Sequence, residues 1–156
     1  MPRNRRMRLV LAMVGGIVAL LCLGGVGVFV AVYDNATKID RSTPDQVVSS
    51  FLRAALVQRD DVQAKLFLCE QKPSLPPITA VRDEIVKREQ QFDVRVSVSW
   101  GALIETSSAQ NEKAIRTGLV IAGASNGQAR SSRYEEWEFQ VIDEDGWRVC
   151  GATKVS

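Results

Sequence analysis

Residues 92–100 read FDVRVSVSW, and this stretch decides the fold class. Phe92, Val94, Val96, Val98 and Trp100 alternate with Asp93, Arg95, Ser97 and Ser99. A period of two marks a strand with one face buried and the other wet. Upstream the apolar spacing is helical instead. Val47, Val48, Phe51, Leu52, Ala55 and Leu56 fall on one face of a helix. Downstream the period stays at two. Helices first and strands second predict an α+β fold, with three helices packed on one face of a curved, antiparallel four-stranded sheet.

The strands follow one another with clear turns. Residues 102–106 are expected to prolong the first strand past Gly101, which marks a bulge. The second strand, 113–122, puts Ile115, Thr117, Leu119 and Ile121 on one side, and GASNGQARSS at 123–132 reads as a polar loop. The third, 133–142, sets Trp137, Phe139 and Val141 against Glu136, Glu138 and Gln140. Asp145-Gly146 is a hairpin-turn dipeptide leading to the last strand, 147–152.

On the helical side, Thr43-Pro44-Asp45-Gln46 has the form of a capped helix start, and the helix is expected to end near Arg59. A second helix spans 61–70 behind Asp60 or Asp61 as its cap. The three prolines of QKPSLPP, 71–77, then break the helical run. A third helix, 79–91, turns Val81, Ile85 and Val86 inward. Its charges, Arg82, Asp83, Glu84, Lys87 and Arg88, are expected to pair along its own outer surface.

Ahead of all this lies LVLAMVGGIVALLCLGGVGVFVAVY, residues 9–33, with no charge and no proline. About 20 apolar residues cross a bilayer as a helix. The preceding tail, MPRNRRMR, carries Arg3, Arg5, Arg6 and Arg8, which keeps the N-terminus on the cytoplasmic side. The run is longer than the apolar core of a cleaved signal, and bulky Phe29, Val30, Val32 and Tyr33 precede Asp34. The expected organisation is a basic cytoplasmic tail at 1–8, a signal anchor held by the lipid bilayer at 9–33, a linker at 34–42, and an extracytoplasmic domain at 43–156.

Composition removes several chemistries. The 156-residue chain contains no histidine, which excludes Ser-His-Asp and Cys-His catalysis and histidine metal ligands. No metal-ligand spacing and no phosphate-cradling glycine loop is visible, so neither metal nor cofactor is expected. With the four tail arginines set aside, 16 basic residues face 18 acidic ones, and no basic run points to nucleic acid. Glu105, Glu135, Glu136, Glu138, Asp143, Glu144 and Asp145 are the groups available for acid–base work. Glu136 and Glu138 share a strand face and, with Trp100 and Tyr134, are the candidate cone or sheet surface; the solvent-exposed reading of the two acids is favoured, and no catalytic residue is assigned. The 143–146 run suits a turn better than a calcium loop. Trp100, Trp137 and Trp147 suit a sheet core. Cys69 and Cys150 are the cysteines outside the apolar run, and an oxidising compartment would join them.

The order of elements, with TPDQVVSSFLRAAL at 43–56, LFLCE at 66–70 and DGWRVC at 145–150, resembles the nuclear transport factor two superfamily, the cystatin-like cone that includes SnoaL-like proteins. It is similar in layout to small actinobacterial exported proteins with one N-terminal anchor. Enzymes of that superfamily use His, or Asp and Tyr, inside the cone; this chain has no His, and Tyr134 is its one tyrosine beyond the membrane edge. The resemblance therefore implies a membrane-tethered, non-enzymatic interaction domain that binds a protein partner or its own copy through the open sheet face. Two alternatives stand beside it. One is the bitopic inner-membrane component of a type IV secretion or conjugation system, which shares the layout. The other is a small-molecule binder or cone enzyme.

The arginine bias makes a direct prediction. A reporter fused after Ser156 should be active only on the extracytoplasmic side, and a cytoplasmic signal would reverse the orientation.

Overall fold

The computed structural model describes residues 39–71 and 73–156. The tail, the apolar run 9–33 and most of the linker, and with them the expected anchor, lie outside the described residues. Among the described residues, no helix is long and apolar enough to cross a membrane.

Five strands form one sheet, one more than the periodicity predicts. Helix α1, Pro44–Leu52, runs on into a π-helical segment, Arg53–Gln58. Helices α2, Asp61–Lys65, and α3, Pro76–Phe92, follow. The strands are β1, Arg95–Trp100; β2, Ile104–Ser108; β3, Glu112–Ser125; β4, Gln128–Asp143; and β5, Trp147–Lys154. The order across the sheet is β1-β3-β4-β5, and every pairing is antiparallel.

The expected first strand with a bulge at Gly101 is two strands laid end to end on the same edge of β3. β1 pairs with the stretch from Leu119 to Ala124, and β2 pairs with that from Lys113 to Arg116. The chain steps out of register between them, and the Gly101 N–H donates to the Gly118 carbonyl at 3.1 Å. The expected polar loop at 123–132 is also corrected. β3 and β4 extend through it to a two-residue turn at Asn126-Gly127, with φ of 51° and 75°. Two successive positive φ values make the tight turn whose twist matches a hairpin, and Asn-Gly tolerates them best. Asp145-Gly146 turns the next hairpin as expected, again with both φ values positive.

One sheet face carries the core. Ile115, Leu119 and Ile121 of β3, Trp137, Phe139 and Val141 of β4, and Val149 of β5 are buried beneath the helices. Val47, Val48, Phe51 and Leu52 of α1 meet them, the Phe51 ring edge-on to Phe139 with centroids 6.4 Å apart.

The helix ends differ in instructive ways from expectation. Thr43 makes no side-chain cap hydrogen bond. The turn before α1 is held by Asp40 instead, whose Oδ1 accepts from Ser42 N at 3.0 Å and Ser42 Oγ at 2.6 Å. Asp60 does cap α2, accepting from Val62 N and Gln63 N at 2.9 and 3.0 Å. That helix stops at Lys65, so LFLCE is not helical. Residues 67–71 and 73–74 run beside β5, with parallel bridges from Leu68 to Val149 and from Ser74 to Gly151. Pro76 and Pro77 open α3 rather than preceding it, because the first-turn N–H groups of a helix have no internal acceptor to lose.

The charges of α3 reach other elements instead of pairing along the helix. Arg82 bonds Asp61 of α2, and Glu84 bonds Arg133 of β4. Arg59 grips Glu89 with both guanidinium nitrogens, at 2.6 and 2.9 Å, and Glu89 Oε1 also accepts from Val96 N of β1 at 2.9 Å. The Arg59 hydrogen bond outweighs desolvation, so the Glu89 carboxyl sits below its ordinary value. A depressed carboxylate contributes stability that is full above its unfolded pKa and is lost as pH falls through the folded one. Glu89→Gln should therefore cost about 1–2 kcal/mol at neutral pH. The gap from the parent should close under acid, which chemical denaturation across pH would measure.

Candidate functional site

Strand alternation gives the sheet a second face that no helix covers among the described residues. Arg116, Gly118 and Val120 of β3 and Tyr134, Glu136 and Glu138 of β4 share it, because Gly118 lies opposite Glu136, Val120 opposite Tyr134 and Arg116 opposite Glu138. Tyr134 and Ile104 are 62% and 60% exposed. A side chain at 118 would fall inside the Tyr134 ring, so only glycine lets the ring lie flat across β3. Arg116 Nη2 donates to Glu138 Oε2 at 2.9 Å, and Thr106 Oγ1 donates to the same oxygen at 3.2 Å. Glu136 has no ion-pair partner among the described residues. A shallow hollow of about 270 Å³ lies between Ile104, Val120, Tyr134 and Glu136.

Trp100 is not part of this face. It lies opposite Leu119, on the helix side. There it lines a wide cleft of about 560 Å³ with Ser49, Arg53, Val57, Gln58 and Val98. Arg53 is the one ionisable side chain in that lining. The sequence-level surface set thus divides: Tyr134, Glu136 and Glu138 come together, and Trp100 faces the other way. Of the remaining tryptophans, Trp137 is buried and Trp147 half-buried.

Glu135 is the acid that faces the core. It is buried, with Oε2 accepting from Trp137 Nε1 at 3.0 Å and Oε1 lying 3.0 Å from both Lys154 Nζ and Arg133 Nε. Parity with Trp137 and Phe139 signals this inward position. With both oxygens held, Glu135 ties β4 to the C-terminal end of β5 instead of serving as a free acid or base.

The expected disulfide is not formed. Cys69 and Cys150 are free thiols. The two sulfurs and one Glu144 carboxylate oxygen lie within 4.8 Å of one another, so the expected neighbours do meet. Cys69 Sγ turns instead to donate to the Gln71 carbonyl at 2.9 Å. Burial, the contact with Cys69, and the charges of Glu144 and Glu112 push the Cys150 thiol well above its ordinary pKa.

No family model and no curated protein matches the sequence. Solved structures do. An NTF2-like protein with a cystatin-like fold from Novosphingobium aromaticivorans superimposes with a TM-score of 0.52 at 13% identity, over 85% of this chain and 88% of that one. The chain has the NTF2-like, cystatin-like fold. A protein of unknown function from Mycobacterium tuberculosis gives a TM-score of 0.50 at 12% identity, over 69% of this chain and 68% of that one. A Kribbella flavida protein gives 0.50 at 8% identity, over 70% and 84%. At such identities the likeness concerns the fold, and function has to be argued from residues.

Adjacent acids on β4 should therefore behave oppositely. Glu135→Gln leaves two cations facing a lost charge and should cost about 2 kcal/mol. Glu136→Gln, on the open face, should stay within about 0.5 kcal/mol of the parent. Paired urea melts would show the difference.

Proposed function

We propose that this chain is a non-enzymatic interaction domain, tethered to the membrane through residues 9–33, whose uncovered sheet face docks against a second copy of itself. The observation that supports this reading is the makeup of that face. An exposed aromatic ring and aliphatic side chains sit at its centre, framed by Arg116, Glu136 and Glu138. Two copies related by a twofold axis present the same patch to each other, so a patch that pairs with itself must carry both signs. Glu136, without an ion partner of its own among the described residues, and the basic Arg116 meet that requirement. Tethering confines both copies to one plane and raises their effective concentration, so a modest face would suffice.

The cleft beside Trp100 favours a second reading, a small-molecule binder. An aromatic wall with a lone arginine suits an anionic aromatic ligand better than catalysis, since the lining holds no acid or base near neutrality.

The test is the oligomeric state of the full chain in mild detergent. The parent should sediment as a dimer, and Tyr134→Arg should shift it to monomer with an unchanged melting temperature. A parent that stays monomeric, or a dimer indifferent to Tyr134→Arg, would remove the self-docking reading. Capture of a different protein through the same face would replace the second copy with that partner.

A further inference from the structure

The two cysteines that fail to bond are placed for another task. Cys69 lies in the 67–74 segment, Cys150 on β5, and Glu144 in the turn between β4 and β5. Their backbones are fixed from both sides of β5. Val149 N donates to Phe67 O at 2.8 Å, Cys69 N to Val149 O at 3.0 Å, and Ser74 N to Cys150 O at 2.8 Å. The donors therefore sit on regular, hydrogen-bonded main chain, the support a metal site requires.

We infer that Cys69, Cys150 and Glu144 bind a single thiophilic divalent cation of the zinc type. Two sulfurs and one carboxylate oxygen within 4.8 Å of one another are close to a tetrahedral shell, in which such donors stand about 3.5–3.8 Å apart. Thiolate donors select zinc over magnesium or calcium. Cys69 is buried, whereas Cys150 and Glu144 are half-exposed, so the fourth position opens toward solvent.

The surroundings suit that cation. Glu70 N donates to Glu144 Oε2 at 3.1 Å, which orients the carboxylate and leaves Oε1 available. Arg148 Nε lies 3.8 Å from Glu144 Oε2, beyond hydrogen-bond reach, while its Nη1 donates to Leu68 O at 3.3 Å. The divalent cation and that guanidinium offset the charge of two thiolates and the Glu144 carboxylate, while Glu70 and Glu112 keep the surroundings negative. The sequence hides the site because its donors lie far apart along the chain and follow no Cys-x-x-Cys spacing.

The experiment uses the full chain carrying Cys22→Ser, purified in detergent, reduced and stripped of metal, then titrated with cobalt(II). A sulfur-to-cobalt charge-transfer band should rise and saturate at one cobalt per chain, with the intense visible bands of tetrahedral cobalt, and zinc should bleach both. Cys150→Ser should abolish the saturating band. Glu144→Gln, which keeps the side-chain shape at this turn position, should weaken cobalt binding by about tenfold or more while retaining the sulfur band. Zinc should raise the melting temperature of the parent and leave that of Cys150→Ser unchanged. A parent without the band at stoichiometric cobalt, a Glu144→Gln variant with parental affinity, or chain isolated from cells with Cys69 and Cys150 joined as a disulfide would overturn the site.

Discussion

Phe139 has no exposed surface, and the rest of the domain is arranged around what touches it. The edge of Phe51 meets it from α1, and Trp137 stacks beside it on the same strand with centroids 6.5 Å apart. An edge-to-face aromatic pair contributes about 0.5–1.5 kcal/mol beyond the area it buries. More important is its direction. It fixes which face of β4 the helices cover, and strand parity carries that choice to every other residue of the sheet. Tyr134, Glu136 and Glu138 are outside because Trp137, Phe139 and Val141 are inside.

Much of this was legible from residues alone. The alternation at 94–100 and 133–142 named the buried face correctly, although Phe92 ends α3 and is exposed and β1 starts only at Arg95, and Asp145-Gly146 and Asp60 announced a turn and a cap. What escaped was of two kinds. Local chemistry was present but undervalued: Asn126-Gly127 is as strong a hairpin signal as Asp145-Gly146, and two prolines together open a helix as readily as they end one. The other misses were tertiary. Nothing in LFLCE tells that Leu68 and Ser74 bridge to β5 rather than coil into α2, since the bridging partners are some 80 positions away. The cysteine neighbours were found from compartment logic, but their relation to Glu144 needed the coordinates.

The candidate surface shows the same division. Parity grouped Glu136 with Glu138, but parity is counted within a strand and says nothing of how two strands align. Trp100 was placed with them for want of the β1–β3 register, which sets it opposite Leu119. Conversely, Glu135 differs from Glu136 by one position and by the whole thickness of the sheet. A pair of adjacent acids thus has one member that holds the strands together and one that is free to meet something else.

The segment bridged to β5 through Phe67, Cys69 and Ser74 has, with Glu89, a joint consequence for how such chains behave in a crowd. The outer rim of β5 is occupied by four main-chain hydrogen bonds to that segment, and on β1 the outward N–H of Val96 is taken by the Glu89 carboxylate. Exposed rims of this kind are where foreign strands add and fibrils begin. One rim is sealed by backbone and the other by a single charge. Loss of the Glu89 carboxylate would leave the Val96 N–H on that rim without its acceptor, which makes this rim the one more open to a foreign strand.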